Sequence, residues 1–106
     1  MGLTHGRRAR LDVSASSAGL VVEPAGELDL ASLPEVTAEV AELLRRPPEP
    51  VVLDLGRLEF LDSSGVTVLV RIANHFDQVR TRNAPEPVRR VIEVLGLAGR
   101  FGLDGT

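Results

Sequence analysis

Leu61-Asp62-Ser63-Ser64-Gly65-Val66-Thr67-Val68-Leu69-Val70-Arg71-Ile72-Ala73 decides the fold, because its second half can be read in two ways. The β-branched run Val66–Val70 taken alone favours a strand. Three features turn it into a helix. Asp62 is a good N-cap, and Val66, Leu69, Ala73 and Phe76 recur at i, i+3, i+7 and i+10. A helix is also needed here before the chain can return to the sheet. The stretch therefore predicts a helix entered through Asp62, with Ser63 at its first position.

Upstream, Val51-Val52-Leu53-Asp54-Leu55 is nearly continuous in apolar residues and reads as a central strand. Asp54, between Leu53 and Leu55, reads as its polar-side residue. The helix before this strand should start at Ser32-Leu33-Pro34-Glu35, which has capping-box spacing and a proline in the first turn. Its apolar stripe is Val36, Val40, Leu43 and Leu44, and Pro47-Pro48-Glu49-Pro50 ends it. Strand, helix and strand of these lengths imply a crossover with parallel pairing. Further upstream, Leu11–Ala15 and Gly19–Glu23, joined by Ser16-Ser17-Ala18, suit a hairpin whose second strand continues through Ala25–Asp29. Pro24 within it marks a bulge or an edge-facing position.

Downstream, Asp77–Asn83 has only Val79 as an apolar residue and reads as a short edge strand. Pro85 and Pro87 introduce a last helix with Val88, Val91, Ile92 and Leu95 as its stripe and Gly96 as its stop. Leu97, Phe101 and Leu103 give the tail residues to dock with. The expectation is an α/β fold in one small domain spanning 11–106, a mixed four- to five-stranded sheet with about three helices packed mainly on one face. Residues 1–10 read as a mobile arm, since they have no apolar period and carry three arginines.

Composition limits the chemistry. The chain has 106 residues, the size of one domain. Cys, Trp and Tyr are absent, all 12 basic residues are Arg, and the histidines are His5 and His75. Disulfides, thiolate zinc sites, cysteine nucleophiles, Schiff-base lysines and a P-loop lysine are thereby excluded. The net charge is −3, and because Arg7, Arg8 and Arg10 precede every acidic residue, the body after them carries −6. An acidic body with three Phe as its only aromatics does not suit nucleic acid. No apolar run approaches the roughly 18–20 residues of a membrane span, and the expectation is a cytoplasmic protein.

Functional residue types are densest at Asp62-Ser63-Ser64-Gly65. A hydroxyl at the first helical position lies beside unpaired backbone donors, a place that can hold a phosphate, while Gly65 lets another backbone come close. Capping and packing alone would also account for these residues. A serine hydrolase fails on distance, since His75 is twelve residues along the same helix, roughly 18 Å at 1.5 Å per residue. Asp29, Asp54 and Asp62 could offer oxygen ligands to a hard cation, but no dense acidic loop accompanies them. No metal or cofactor is expected.

Gly26-Glu27-Leu28-Asp29, Val51–Leu55, Phe60-Leu61-Asp62-Ser63-Ser64-Gly65, Asn83-Ala84-Pro85, Val88-Arg89-Arg90-Val91 and Leu95-Gly96-Leu97 stand in an order that resembles the STAS domain. Within that family the likeness is to bacterial anti-sigma factor antagonists, and it covers about Leu11 to Phe101. The resemblance implies phosphorylation of Ser63, with Ser64 a second possible acceptor, by a partner anti-sigma factor that has a histidine-kinase-like ATPase fold. It further implies a metal-dependent serine phosphatase as a second partner. Asp29, Asp62, Ser64, Gly65 and Val66 become the expected surroundings of the acceptor and the partner-binding face. One departure is that Gly65–Asn83 is a few residues shorter than is usual in the family, which predicts a shortened strand or helix end there. Other readings are an unphosphorylated STAS scaffold subunit, in a stress-signalling or lipid-transport complex, and a small nucleotide-binding or hydrolytic protein using Asp29, Asp62 and Ser63.

Overall fold

Ten consecutive residues, Gly19–Leu28, organise the sheet by taking different neighbours along their length. The computed structural model describes residues 9–17 and 19–103. Its elements are β1 (Arg10–Ser16), β2 (Gly19–Leu28), α1 (Leu33–Leu43), β3 (Val51–Asp54), β4 (Leu58–Leu61), α2 (Ser63–His75), β5 (Val79–Arg82) and α3 (Glu86–Val94). β1 pairs antiparallel with β2 from Arg10 opposite Ala25 to Ser16 opposite Gly19, the expected hairpin. Of its expected link, Ala18 lies outside the described residues. On the other side of β2, Leu20–Val22 run parallel to β3, whereas Gly26–Leu28 run parallel to β4. β5 continues the sheet beyond β3, again parallel.

Pro24 sits at the changeover between these two parallel neighbours. The amide of Leu20 donates to Pro50 and that of Gly26 to Arg57, so by strand alternation the nitrogen of residue 24 faces the same side, between β3 and β4. A residue without an N–H breaks no ladder bond there. Pro24 is thus neither bulged nor edge-facing as expected: it is buried and in register with Leu11, and the register shift falls between Gly26 and Glu27.

The core is aliphatic, as the composition required. Leu53 and Leu55 at the end of β3, Leu69 and Ile72 of α2, and Ile92 of α3 are fully buried together with Phe101 of the tail. The strand or helix ambiguity at Val66–Val70 resolves as helix, and α2 buries Val66, Val68, Leu69, Ile72 and Ala73. α3 stops at a Schellman arrangement: Gly96 has φ +74, its amide donates to Glu93, and the Leu97 amide donates to Ile92. The tail then covers the outer side of β5, where the Thr81 hydroxyl donates to the Phe101 carbonyl at 2.7 Å.

Four further expectations need correction. The Ser32–Glu35 capping box does not form, although α1 starts where it was placed: Ser32 makes no side-chain cap, and the Glu35 carboxylate accepts the Ala9 amide at 2.9 Å instead. Ala9 and Arg10, expected in the mobile arm, are held in the fold, since Ala9 is buried and Arg10 belongs to β1; the rest of that expectation, residues 1–8, lies outside the described residues. Leu95 is exposed rather than part of the buried stripe of α3. Asp54, finally, is no solvated strand residue. It is buried at the end of β3, where its carboxylate accepts from the Gly56 amide (3.1 Å), Arg82 Nε (2.9 Å) and Asn83 Nδ2 (3.2 Å), clamping β3 to β5.

Burial raises the Asp54 pKa, but the bonds from Gly56, Arg82 and Asn83 outweigh it and hold the carboxyl below its ordinary value of 3.8. A depressed folded-state pKa stabilises the fold above the unfolded value, and that stabilisation is lost as pH falls through the folded one. Asp54→Asn is expected to cost about 1–2 kcal/mol at pH 7, from the loss of charge-assisted bonds. The variant should show a smaller loss of stability than the wild type below about pH 4, because it lacks this titration. Urea denaturation at a series of pH values measures both effects.

Candidate functional site

β4 ends at Leu61, and the next residue turns the chain into α2. Asp62 is extended (φ −111°, ψ −174°), which sets its carboxylate over the first turn of the helix. Oδ1 accepts the Gly65 amide at 3.0 Å, a standard N-cap bond. Oδ2 accepts the Leu30 amide at 3.2 Å, and the Asp62 amide reaches the Leu28 carbonyl at 3.4 Å. The cap residue therefore also ties the loop after β2 to the start of α2. Ser63, one position into the helix, is exposed, and Ser64 is half-buried.

Gly65 is required by the packing. A Cβ at this position would lie 2.1 Å from the Leu28 carbonyl oxygen and 2.8 Å from Leu61 Cδ1. Only glycine lets the first turn of α2 press on the end of β2 this closely. Gly65 and Val66 are both buried, so they hold the site from beneath and present no side chain to a partner.

Asp29 lies one residue before the loop amide that Asp62 holds. Its Oδ1 accepts the Ser32 amide at 3.0 Å, and its own amide donates to Ser32 Oγ at 3.0 Å. Ser32 Oγ in turn donates to the Glu27 carbonyl at 2.5 Å. This is a closed turn that fixes the loop leading into α1. Asp29, Asp62, Ser63 and Ser64 are thus gathered at one end of the sheet. Asp54 does not join them, being committed to Arg82 and Asn83, and no cluster of three His or acidic side chains able to hold a metal occurs among the described residues. His75 is at the opposite end of α2, where its Nε2 lies 2.6 Å from the Arg46 carbonyl.

Beside Ser63 opens a groove of about 410 Å³ that sequence reasoning missed, lined by Leu61, Asp62, Ser63, Arg90, Val91, Val94 and Leu95. One wall is the junction of β4 and α2, and the other is the second half of α3. Val94 is 77% exposed and Leu95 51%. Leu30, whose amide binds Asp62, is 70% exposed, and Phe60, just before the junction, is 50% exposed. Large apolar side chains left in water are thus concentrated in the segments around one exposed serine, a pattern that marks contact surfaces. The signal in the sequence was a surplus: α3 has more apolar residues than one buried stripe can use.

Comparison with known proteins places these features in context. The family described as Mlab, STAS domain, matches residues 11–103. BtrV of Bordetella bronchiseptica, named as a candidate anti-sigma factor antagonist, is 31% identical over 80 residues, 72% of this chain and 69% of its own. An anti-sigma factor antagonist from Mycobacterium paratuberculosis superposes with a TM-score of 0.73 at 25% identity, over 92% of this chain and 86% of the other. The Bacillus protein SpoIIAA, solved in unphosphorylated and phosphorylated forms, shares the fold at 22% identity, with TM-scores of 0.66 and 0.59. Those two superpositions cover 92% of this chain and 89% and 91% of SpoIIAA. No helix among the described residues is long and apolar enough to cross a membrane.

The close approach at Gly65 makes a sharp test. Gly65→Ala is expected to destabilise the fold by about 2 kcal/mol or more, since backbone must move to admit the methyl group. Gly99→Ala, where nothing lies within 4 Å of the added carbon, should stay within about 0.5 kcal/mol of wild type. Chemical denaturation of the two variants in parallel measures the difference.

Proposed function

The chain belongs to the STAS domain family, and from that premise we propose that it is an anti-sigma factor antagonist switched by phosphorylation at Ser63. In this reading the unmodified protein binds an anti-sigma factor that is also its serine kinase, and the sigma factor is released. The observation that carries it is the exposed Ser63 at the first position of α2, next to the groove and its apolar surroundings. Asp62 cannot drift across the hydroxyl, because both of its oxygens are engaged by backbone amides.

Chemistry is assigned to the partner. The γ-phosphoryl group of the partner's ATP passes to Ser63 Oγ, the hydroxyl proton is lost, and ADP departs. A metal-dependent serine phosphatase would reverse the modification by hydrolysis. This chain contributes the acceptor and the surface, and the reading gives it no turnover of its own. The BtrV likeness supports the antagonist role. The added group brings about −1.5 to −2 charges to a protein already at −3. Docking is then opposed by repulsion and by a polar group in an apolar contact.

A second reading has support from the matched family, described as Mlab, STAS domain. It makes the chain an unphosphorylated scaffold subunit, for which the same apolar surface would be a permanent contact. A pull-down from the native cytoplasm with Ser63→Ala as bait, followed by incubation of the wild type with ATP and the captured kinase, separates the two. Phosphosite mapping should find Ser63 modified, and a partner that leaves Ser63 and Ser64 untouched supports the scaffold. Calorimetry on the captured partner should show Ser63→Ala binding like wild type and Ser63→Asp at least tenfold weaker, a difference of about 1.4 kcal/mol.

A further inference from the structure

Arg90 is the one cation lining the groove beside Ser63, and only Asp62 among the other lining residues is charged. Asp62 does not compete for the guanidinium, since its carboxylate is taken by the Gly65 and Leu30 amides. The bond that Arg90 makes lies outside the groove, to Glu86 one helical turn back, at 3.5 Å with both side chains more than 70% exposed. An exposed pair at this spacing holds the guanidinium only weakly. Its neighbour Arg89 is much less exposed and is paired with Glu93 at 3.3 Å, so it is not equally available.

A phosphate on Ser63 would change the competition for that guanidinium. Phosphoserine offers up to two negative charges and three acceptor oxygens, and Arg binds such a group through two parallel N–H bonds that a single exposed carboxylate does not match. The aliphatic stem of Arg90 can lie along apolar neighbours while its head stays polar. We infer that Arg90 receives the phosphate on Ser63, leaving Glu86 and drawing its stem across Val91 and Val94, so that the modified protein closes its own groove. Phosphorylation then removes an apolar docking site in addition to adding charge. This inference rests on the reading of Ser63 as the phosphoacceptor.

The test installs phosphoserine at position 63 during translation, so no kinase is needed, and follows the phosphate by ³¹P NMR against pH. In the wild type its second pKa should lie about 0.5 unit below that in Arg90→Gln, because a paired guanidinium favours the dianion. Arg90→Lys should recover part of the difference as a point charge without the planar fork. Methyl resonances of Val94 and Leu95 should move on phosphorylation in the wild type and stay in place in Arg90→Gln. Identical phosphate titrations in wild type and Arg90→Gln, both folded by amide dispersion, would overturn the inference. So would unmoved Val94 and Leu95 methyl groups in the phosphorylated wild type. Either failure leaves the identity of the acceptor untouched, since that is decided by phosphosite mapping with the captured kinase.

Discussion

The carboxylate of Asp62 joins three segments that lie apart in the chain. It follows directly on β4, caps α2 through the Gly65 amide, and holds the loop after β2 through the Leu30 amide. Its partner constraint is steric: the Leu28 carbonyl sits where a side chain of residue 65 would be. The two act together. Without the glycine the helix could not approach the strand, and without the carboxylate the helix would lose its N-cap, at about 0.5–2 kcal/mol. The rest of the site follows. β4 must sit at the far end of β2, past Pro24, for its last residue to reach the loop, and Ser63 is then left on the surface.

That end of the molecule was largely legible in the sequence because its determinants are local. Asp62 and Gly65 are three residues apart, and the apolar period that turns Val66–Val70 into helix is contained within α2. What was misread depends on partners far along the chain. Asp54 looks like an ordinary outward strand residue until Arg82, 28 positions away, arrives beside it. Glu35 fits a capping box until Ala9, 26 positions away, offers a backbone amide. Both are acidic groups with a local role on paper and a tertiary role in the fold.

The groove escaped for another reason. Val88 and Ile92 are buried, whereas Leu95 continues their stripe and is exposed, and Val94 lies about 200° round the helix from Ile92 and faces outward. Pattern alone cannot say which members of a wide stripe meet a neighbour. Here the helix ends at Gly96 and the tail turns back through Leu97 to Phe101, which is fully buried. Val94 and Leu95 are left on the surface beside the serine.

Rigidity at the Asp62 junction limits what a modification there can do. Favourable interaction of an anion with the first turn of a helix is worth about 0.3–1 kcal/mol at an exposed site, and a neighbouring carboxylate opposes it by a comparable amount. Neither approaches the 5–15 kcal/mol that typically separates a folded domain from its unfolded chain. At the junction the Leu28 carbonyl blocks any deeper approach of α2, and both Asp62 oxygens are already bonded. A charge at Ser63 is therefore expected to act on the surface around it and not by refolding the chain. In a protein without Lys, Cys, Trp or Tyr, that surface is built from the parts the chain does have: a hydroxyl, aliphatic side chains and an arginine.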